Sequence, residues 1–213
     1  MRALLLSLLV VGAARAEEVK LEDNGQSWSA VGPKTLAPGG NALEASAGYP
    51  AISVGFLHGL SSGLNVGARV GFVYGVEGMF REAAPGFKVQ GLLKLRFLDS
   101  GKVSLGMTVE PGLLYYSSFL QGTRVGLTIP IGFRLGIAAS SAISVAVLVD
   151  FPMWVEFGLF GGFNFPILTG GGVEYFLTSQ FAVFFRARLG PTIRTGRPAE
   201  VTFDAALGIG YRF

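Results

Sequence analysis

The last thirteen residues, Val201 to Phe213, read VTFDAALGIGYRF and divide into two sets by parity. Val201, Phe203, Ala205, Leu207, Ile209, Tyr211 and Phe213 fall on one side; Thr202, Asp204, Ala206, Gly208, Gly210 and Arg212 fall on the other. Successive side chains of a β-strand point to opposite faces, so one face of this segment is continuously apolar and the other is small or polar. An exposed strand face in a water-soluble sheet would carry polar residues along its full length. This one carries glycine, alanine and isolated charges.

The pattern recurs upstream. Val125, Leu127, Ile129, Ile131, Phe133, Leu135 and Ile137 oppose Arg124, Gly126, Thr128, Pro130, Gly132, Arg134 and Gly136. Phe87, Val89, Leu93, Leu95 and Phe97 oppose Lys88, Gln90, Lys94 and Arg96, and Leu64 to Phe72 alternates in the same way. Pro130 has no N–H for a ladder and predicts a bulge or an unpaired position.

Serine-containing turns recur at Leu60–Gly63, Leu98–Gly101, Ala139–Ala142 and Leu177–Gln180, and each interval holds two strands and one longer connection. The longer connections fall near residues 75–85, 117–121, 158–164 and 194–200. Alternating segments joined by short turns on one side and longer loops on the other are the signature of a transmembrane barrel. The four hairpins after Gly63 supply eight strands. Leu43–Ala47 and Ile52–Phe56, turning at Gly48–Pro50, would add two more. The expectation is an all-β, antiparallel, up-and-down transmembrane barrel of ten strands over residues 41–213, with eight as the alternative.

Composition agrees with a membrane protein. Half of the 213 residues are hydrophobic, only 15% are charged, and mean hydropathy is +0.52. The nearest candidate for a spanning helix, Phe157 to Val173, is uncharged but holds six glycines and Pro166, which disfavours a helix. In a bilayer the backbone must satisfy itself, and a closed barrel is the other way to do so.

Residues 1–16, MRALLLSLLVVGAARA, have the basic start, apolar run and Ala14-Arg15-Ala16 end of a secretory signal peptide. Its removal leaves 15 basic against 14 acidic residues, so the pI near 9.3 gives no reason to expect nucleic acid as a partner. Residues 17–40 show neither period and end in Pro and Gly, which predicts a poorly ordered periplasmic lead-in, with Trp28 an incidental aromatic. The chain has no cysteine, so disulfides and thiol chemistry are excluded.

The leader, the repeated hairpins and the terminal Leu207, Ile209, Tyr211 and Phe213 resemble bacterial outer-membrane β-barrel proteins of the small, porin-like class. That resemblance implies residence in the bacterial outer membrane among its lipids. It also implies that Leu207, Ile209, Tyr211 and Phe213 are an assembly signal read by the barrel-assembly machinery. Tyr74, Tyr115, Tyr116, Trp154 and Phe157 near the outer loops, and Tyr211 and Phe213 at the opposite rim, suit interfacial girdles.

Parity assigns Arg69, Lys88, Lys94, Arg96, Glu110, Arg124, Arg134, Asp150, Glu156, Glu174, Arg186, Arg188, Asp204 and Arg212 to the lumen, together with Glu44. A basic residue on the lipid face near the midplane would cost about 2–4 kcal/mol. A barrel this narrow is mostly filled by side chains, so a paired interior is expected, with a basic eyelet for small solutes as the alternative.

The single histidine, His58, lies beside a turn on the periplasmic side, away from where surface hydrolases of this class keep theirs. No metal-ligand cluster or cofactor motif accompanies it. The expectation is a non-enzymatic barrel without cofactor, with a role in envelope integrity or surface contact. A narrow pore or lateral-diffusion channel for small or hydrophobic solutes is the alternative.

Overall fold

The computed structural model describes residues 26–79, 84–118, 122–157 and 161–213. The signal peptide expected at 1–16 and the expected lead-in as far as residue 25 lie outside the described residues. Twelve strand segments follow in chain order: β1 (Asn41–Tyr49), β2 (Ala51–Ser61), β3 (Leu64–Val73), β4 (Gly86–Asp99), β5 (Val103–Val109), β6 (Gly112–Ser118), β7 (Gly122–Ala138), β8 (Ile143–Phe157), β9 (Gly162–Pro166), β10 (Leu168–Phe176), β11 (Phe181–Arg194) and β12 (Arg197–Arg212).

These make ten staves. β5 and β6 keep one register against both neighbours: Leu93 pairs Val109 and Gln90 pairs Gly112 on β4, while Ile131 pairs Val109 and Thr128 pairs Gly112 on β7. Only Glu110-Pro111 interrupts them. β9 and β10 are likewise one stave between β8 and β11, interrupted at Ile167. Every neighbouring pair is antiparallel, and β1 pairs β12 from Ala42↔Arg212 to Tyr49↔Ala205. The sheet therefore closes on itself, as the ten-strand reading expects, with both described chain ends at one rim.

Alternation decides which side chains face out. Val54, Phe87, Val89, Leu113, Leu127, Ile129, Val147, Phe185, Val201 and Leu207 are all exposed, and together they form an apolar outer belt. The belt has one local irregularity where the register of β4 against β5 slips between Arg96 and Leu98, leaving both Phe97 and Leu98 exposed. The first outer connection is only the cis peptide Tyr49-Pro50, and the last is the tight turn at Thr195-Gly196, with Gly196 at φ +70°.

Three sequence-based expectations need correction. Pro130 marks no bulge, since it stays in register opposite Pro152 of β8; the unpaired alternative holds on its other side, where it faces the break at Glu110-Pro111. Tyr116 and Trp154 belong to no outer girdle: both are turned inward and buried, Tyr116 opposite the buried Arg124 and Trp154 opposite the buried Thr128. The third concerns residues 26–38, which do not trail from the rim. They fold back into the barrel, and Trp28, Val31 and Leu36 are buried there. Lack of periodicity signals only that a segment is neither helix nor strand. Here the lumen supplies what regular structure would have supplied.

Candidate functional site

The lumen is filled in three layers. The layer nearest the chain ends is the N-terminal segment, which acts as a plug. Glu174 of β10 accepts hydrogen bonds from the Ser29 hydroxyl, from Ala30 N at 2.6 Å and from Val31 N at 3.0 Å. Lys94 of β4 donates to the Ser29 carbonyl, and Asn65 of β3 accepts from Leu36 N at 3.1 Å. Gln26 donates to Ile143 O at 2.9 Å and the Trp28 indole donates to Ser179 O at 3.1 Å. Buried backbone groups need partners, and these side chains provide them.

Glycines on the inner face give the plug its room. A Cβ on Gly210 would lie 2.6 Å from the Trp28 ring, one on Gly172 2.6 Å from Val31, and one on Gly136 2.7 Å from Pro33. Partial burial holds the Lys34 ammonium below its ordinary pKa, with the Asp99 carboxylate opposing that effect.

At the opposite end the connection after β3 folds inward. Val76 and Met79 are buried against Val73, Ala84, Leu114, Tyr116 and Trp154. Met79 bridges to Thr202, and the Tyr49 hydroxyl donates to Met79 O at 2.9 Å. Glu77 lies between them with φ +45°, in the left-handed region that a non-glycine residue seldom adopts. Its carboxylate accepts from the Tyr116 hydroxyl and pairs with Lys88 Nζ at 2.6 Å.

Between plug and cap runs a ring of charge. Arg69 of β3 bridges Glu44 at 3.2 Å and Glu110 at 2.7 Å. A second chain passes from Arg134 to Asp150 (2.6 Å), to Arg188 (2.8 Å), to Asp204 (2.9 Å) and to Arg186 (3.7 Å), across β7, β8, β11 and β12. Gly132, opposite Asp150, leaves the space that the Arg134–Asp150 pair occupies. Charges in so confined a place are costly unless paired and hydrogen-bonded.

Arg124 and Glu156 pair at 3.2 Å nearer the cap, where Glu156 also accepts from the Trp154 indole at 2.9 Å. Arg96 and Arg212 stay apart from the ring. Arg96 pairs with Asp99 at 2.6 Å beside the first turn, and Arg212 reaches Ser27 at the rim. Glu77 and the plug were missed in the sequence, Glu77 because it lies in a connection and not in a strand.

The ring surrounds a cavity of about 110 Å³. Five cationic side chains (Arg69, Lys88, Arg134, Arg186 and Arg188) and four carboxylates (Glu77, Glu110, Asp150 and Asp204) line it. Arg186 is the least engaged: its Nε has no hydrogen-bond partner and its ion pair is the long one to Asp204. A polar space of this size can hold several waters or a small charged group. His58, by contrast, faces outward near the chain-terminal rim and hydrogen-bonds Asn41 Oδ1 at 2.9 Å. Among the described residues no group of acidic or histidine side chains is placed to hold a metal ion.

No family model matches the chain, and no curated protein matches it. Among solved structures it is similar to the outer membrane protease OmpT from Escherichia coli, at 9% identity and a TM-score of 0.47, covering 82% of this chain and 93% of that one. It is also similar to OmpTΔL8, a loop L8 deletion mutant of OmpT, an outer membrane protein of Vibrio cholerae, at 15% identity and a TM-score of 0.39, covering 84% of this chain and 61% of that one. At such identities no residue role passes from either protein. The expectation that the chain is not an enzyme is withdrawn, since one of the structures it is similar to is an outer membrane protease.

Proposed function

We propose that this chain is an integral protein of the bacterial outer membrane whose barrel is closed to free axial diffusion and contributes to the integrity of the envelope. The observation that carries the reading is the double filling of the lumen, by residues 26–36 at one end and by Val76 to Met79 at the other. Support for the membrane comes from the apolar outer belt, since lipid is the solvent that accepts it. With an even number of staves both chain ends share one rim, on the periplasmic side of such barrels. Leu207 and Ile209, exposed on that belt, and Tyr211 and Phe213, stacked at 6.0 Å on the same face, present the assembly signal to the barrel-assembly machinery.

Planar-bilayer recording tests the closed state. The intact protein is expected to show no steady conductance over a range of salts and voltages, and a variant lacking residues 26–36 is expected to show discrete openings. Steady conductance in the intact protein would replace this reading with the narrow-pore alternative.

A further inference from the structure

The wall has a gap at the level of the cavity. Glu110 N donates to Pro130 O at 2.9 Å, so the backbone groups of Pro130 turn toward β5 and β6. In an antiparallel ladder hydrogen-bonded and non-hydrogen-bonded pairs alternate, so Pro130 and its other partner Pro152 form a non-hydrogen-bonded pair. The backbone groups of Pro152 must then turn toward β9. Trp154 pairs Asn164 and Asp150 pairs Leu168, so the residue facing Pro152 there is Pro166. Neither proline has an N–H, and both ladder bonds at this position are missing. Roughly 13 Å of the β8–β9 seam, between the 154/164 and 150/168 pairs, is without a bond.

What lies on the two sides of the gap differs sharply. Inside, Pro152 and Leu168 line the charged cavity beside Asp150 and Arg188. Outside, Phe151 stacks on Phe165 at 5.9 Å, Phe165 on Phe163 at 6.2 Å, and Phe133 meets Phe151 edge-on at 6.4 Å. The seam is thus covered toward lipid by aromatic rings that hydrogen bonding does not fix. Both axial routes to the cavity are filled by the chain itself, and Arg186 is the least engaged of the cations that line it.

We propose that the Pro152–Pro166 seam is a lateral portal through which the head group of a single-chain anionic amphiphile reaches Arg186 from the bilayer. The cavity takes the head group and first methylenes; the rest of the chain stays between the phenylalanines and the lipid. This rests on the reading of the barrel as membrane-embedded.

The test uses doxyl-stearic acid and its methyl ester as spin probes, with the full barrel in phosphatidylcholine vesicles. The acid is expected to show an immobilised spectral component at least threefold larger than the ester shows. Phe151 and Ile167 face each other across the seam as a non-hydrogen-bonded pair, and the chain has no cysteine of its own. The Phe151→Cys, Ile167→Cys variant therefore forms one defined cross-link. Its oxidation is expected to abolish the acid preference, and its reduction to restore it.

Arg186→Gln is expected to lose the preference and Arg186→Lys to keep most of it. Equal immobilisation of acid and ester by an inserted wild-type barrel overturns the proposal. So does a preference that survives oxidation, which would mean axial entry, or one that survives Arg186→Gln. A protein that does not insert into the vesicles contradicts the membrane reading instead.

Discussion

The indole of Trp28 stands edge-on to the ring of Phe176, with centroids 6.1 Å apart and planes at 88°. This joins the plug to the apolar patch formed by Leu57, Leu92 and Ala182 inside the terminal rim. Trp28→Ala removes a fully buried side chain whose loss costs about 3–5 kcal/mol in a packed core. Residues 26–36 are expected to become accessible to an added protease while the wall keeps its faster migration on unboiled gels. Unchanged protection would show that the aromatic contact does not hold the plug.

Glu174 meets three donors of the plug at once. Glu174→Gln keeps the size but not the charge, and weakening these bonds is expected to cost about 1–3 kcal/mol. Hydrogen–deuterium exchange at Ala30 and Val31 should quicken accordingly, with the amides of β12 unaffected.

Asp150 is shared by Arg134 and Arg188. In Asp150→Ala both guanidinium groups lose a buried partner, and breaking such a pair costs about 3–5 kcal/mol. The midpoint of urea unfolding from vesicles should fall by a corresponding amount. A loss under about 1 kcal/mol would mean that water compensates the arginines fully.

The proline seam predicts a gain of stability on repair. Pro152→Val with Pro166→Val restores two ladder N–H groups, each worth about 1 kcal/mol net. Slower unfolding of the double variant is the expected outcome, and infrared exchange should show two additional protected amides.

The wall was legible in the sequence because a barrel imposes a period of two and lipid punishes every departure from it. Val201 to Phe213 alone displays both faces. The inward charges followed from the same parity, but their partners did not: pairing Arg188 with Asp150 requires knowing that β10 lies between β8 and β11 and how both pairs are registered. Parity also separates Tyr115 from Tyr116, yet grouping both as girdle aromatics relied on position near a loop and ignored it. The plug lacked any period to read. Its trace was indirect, in the glycines at 136, 172 and 210 that face inward without an apparent reason until Pro33, Val31 and Trp28 are seen against them. Pro130, Pro152 and Pro166 are far apart in sequence and become one feature only through closure.

Asn65 on β3 and Glu174 on β10 grip the same short segment from staves five places apart in a ring of ten, that is, from opposite sides of the circle. Residues 29–36 therefore work as a spoke across the hoop. Lateral pressure in a membrane would tend to flatten an empty cylinder into an ellipse, and an internal brace of this kind would oppose that.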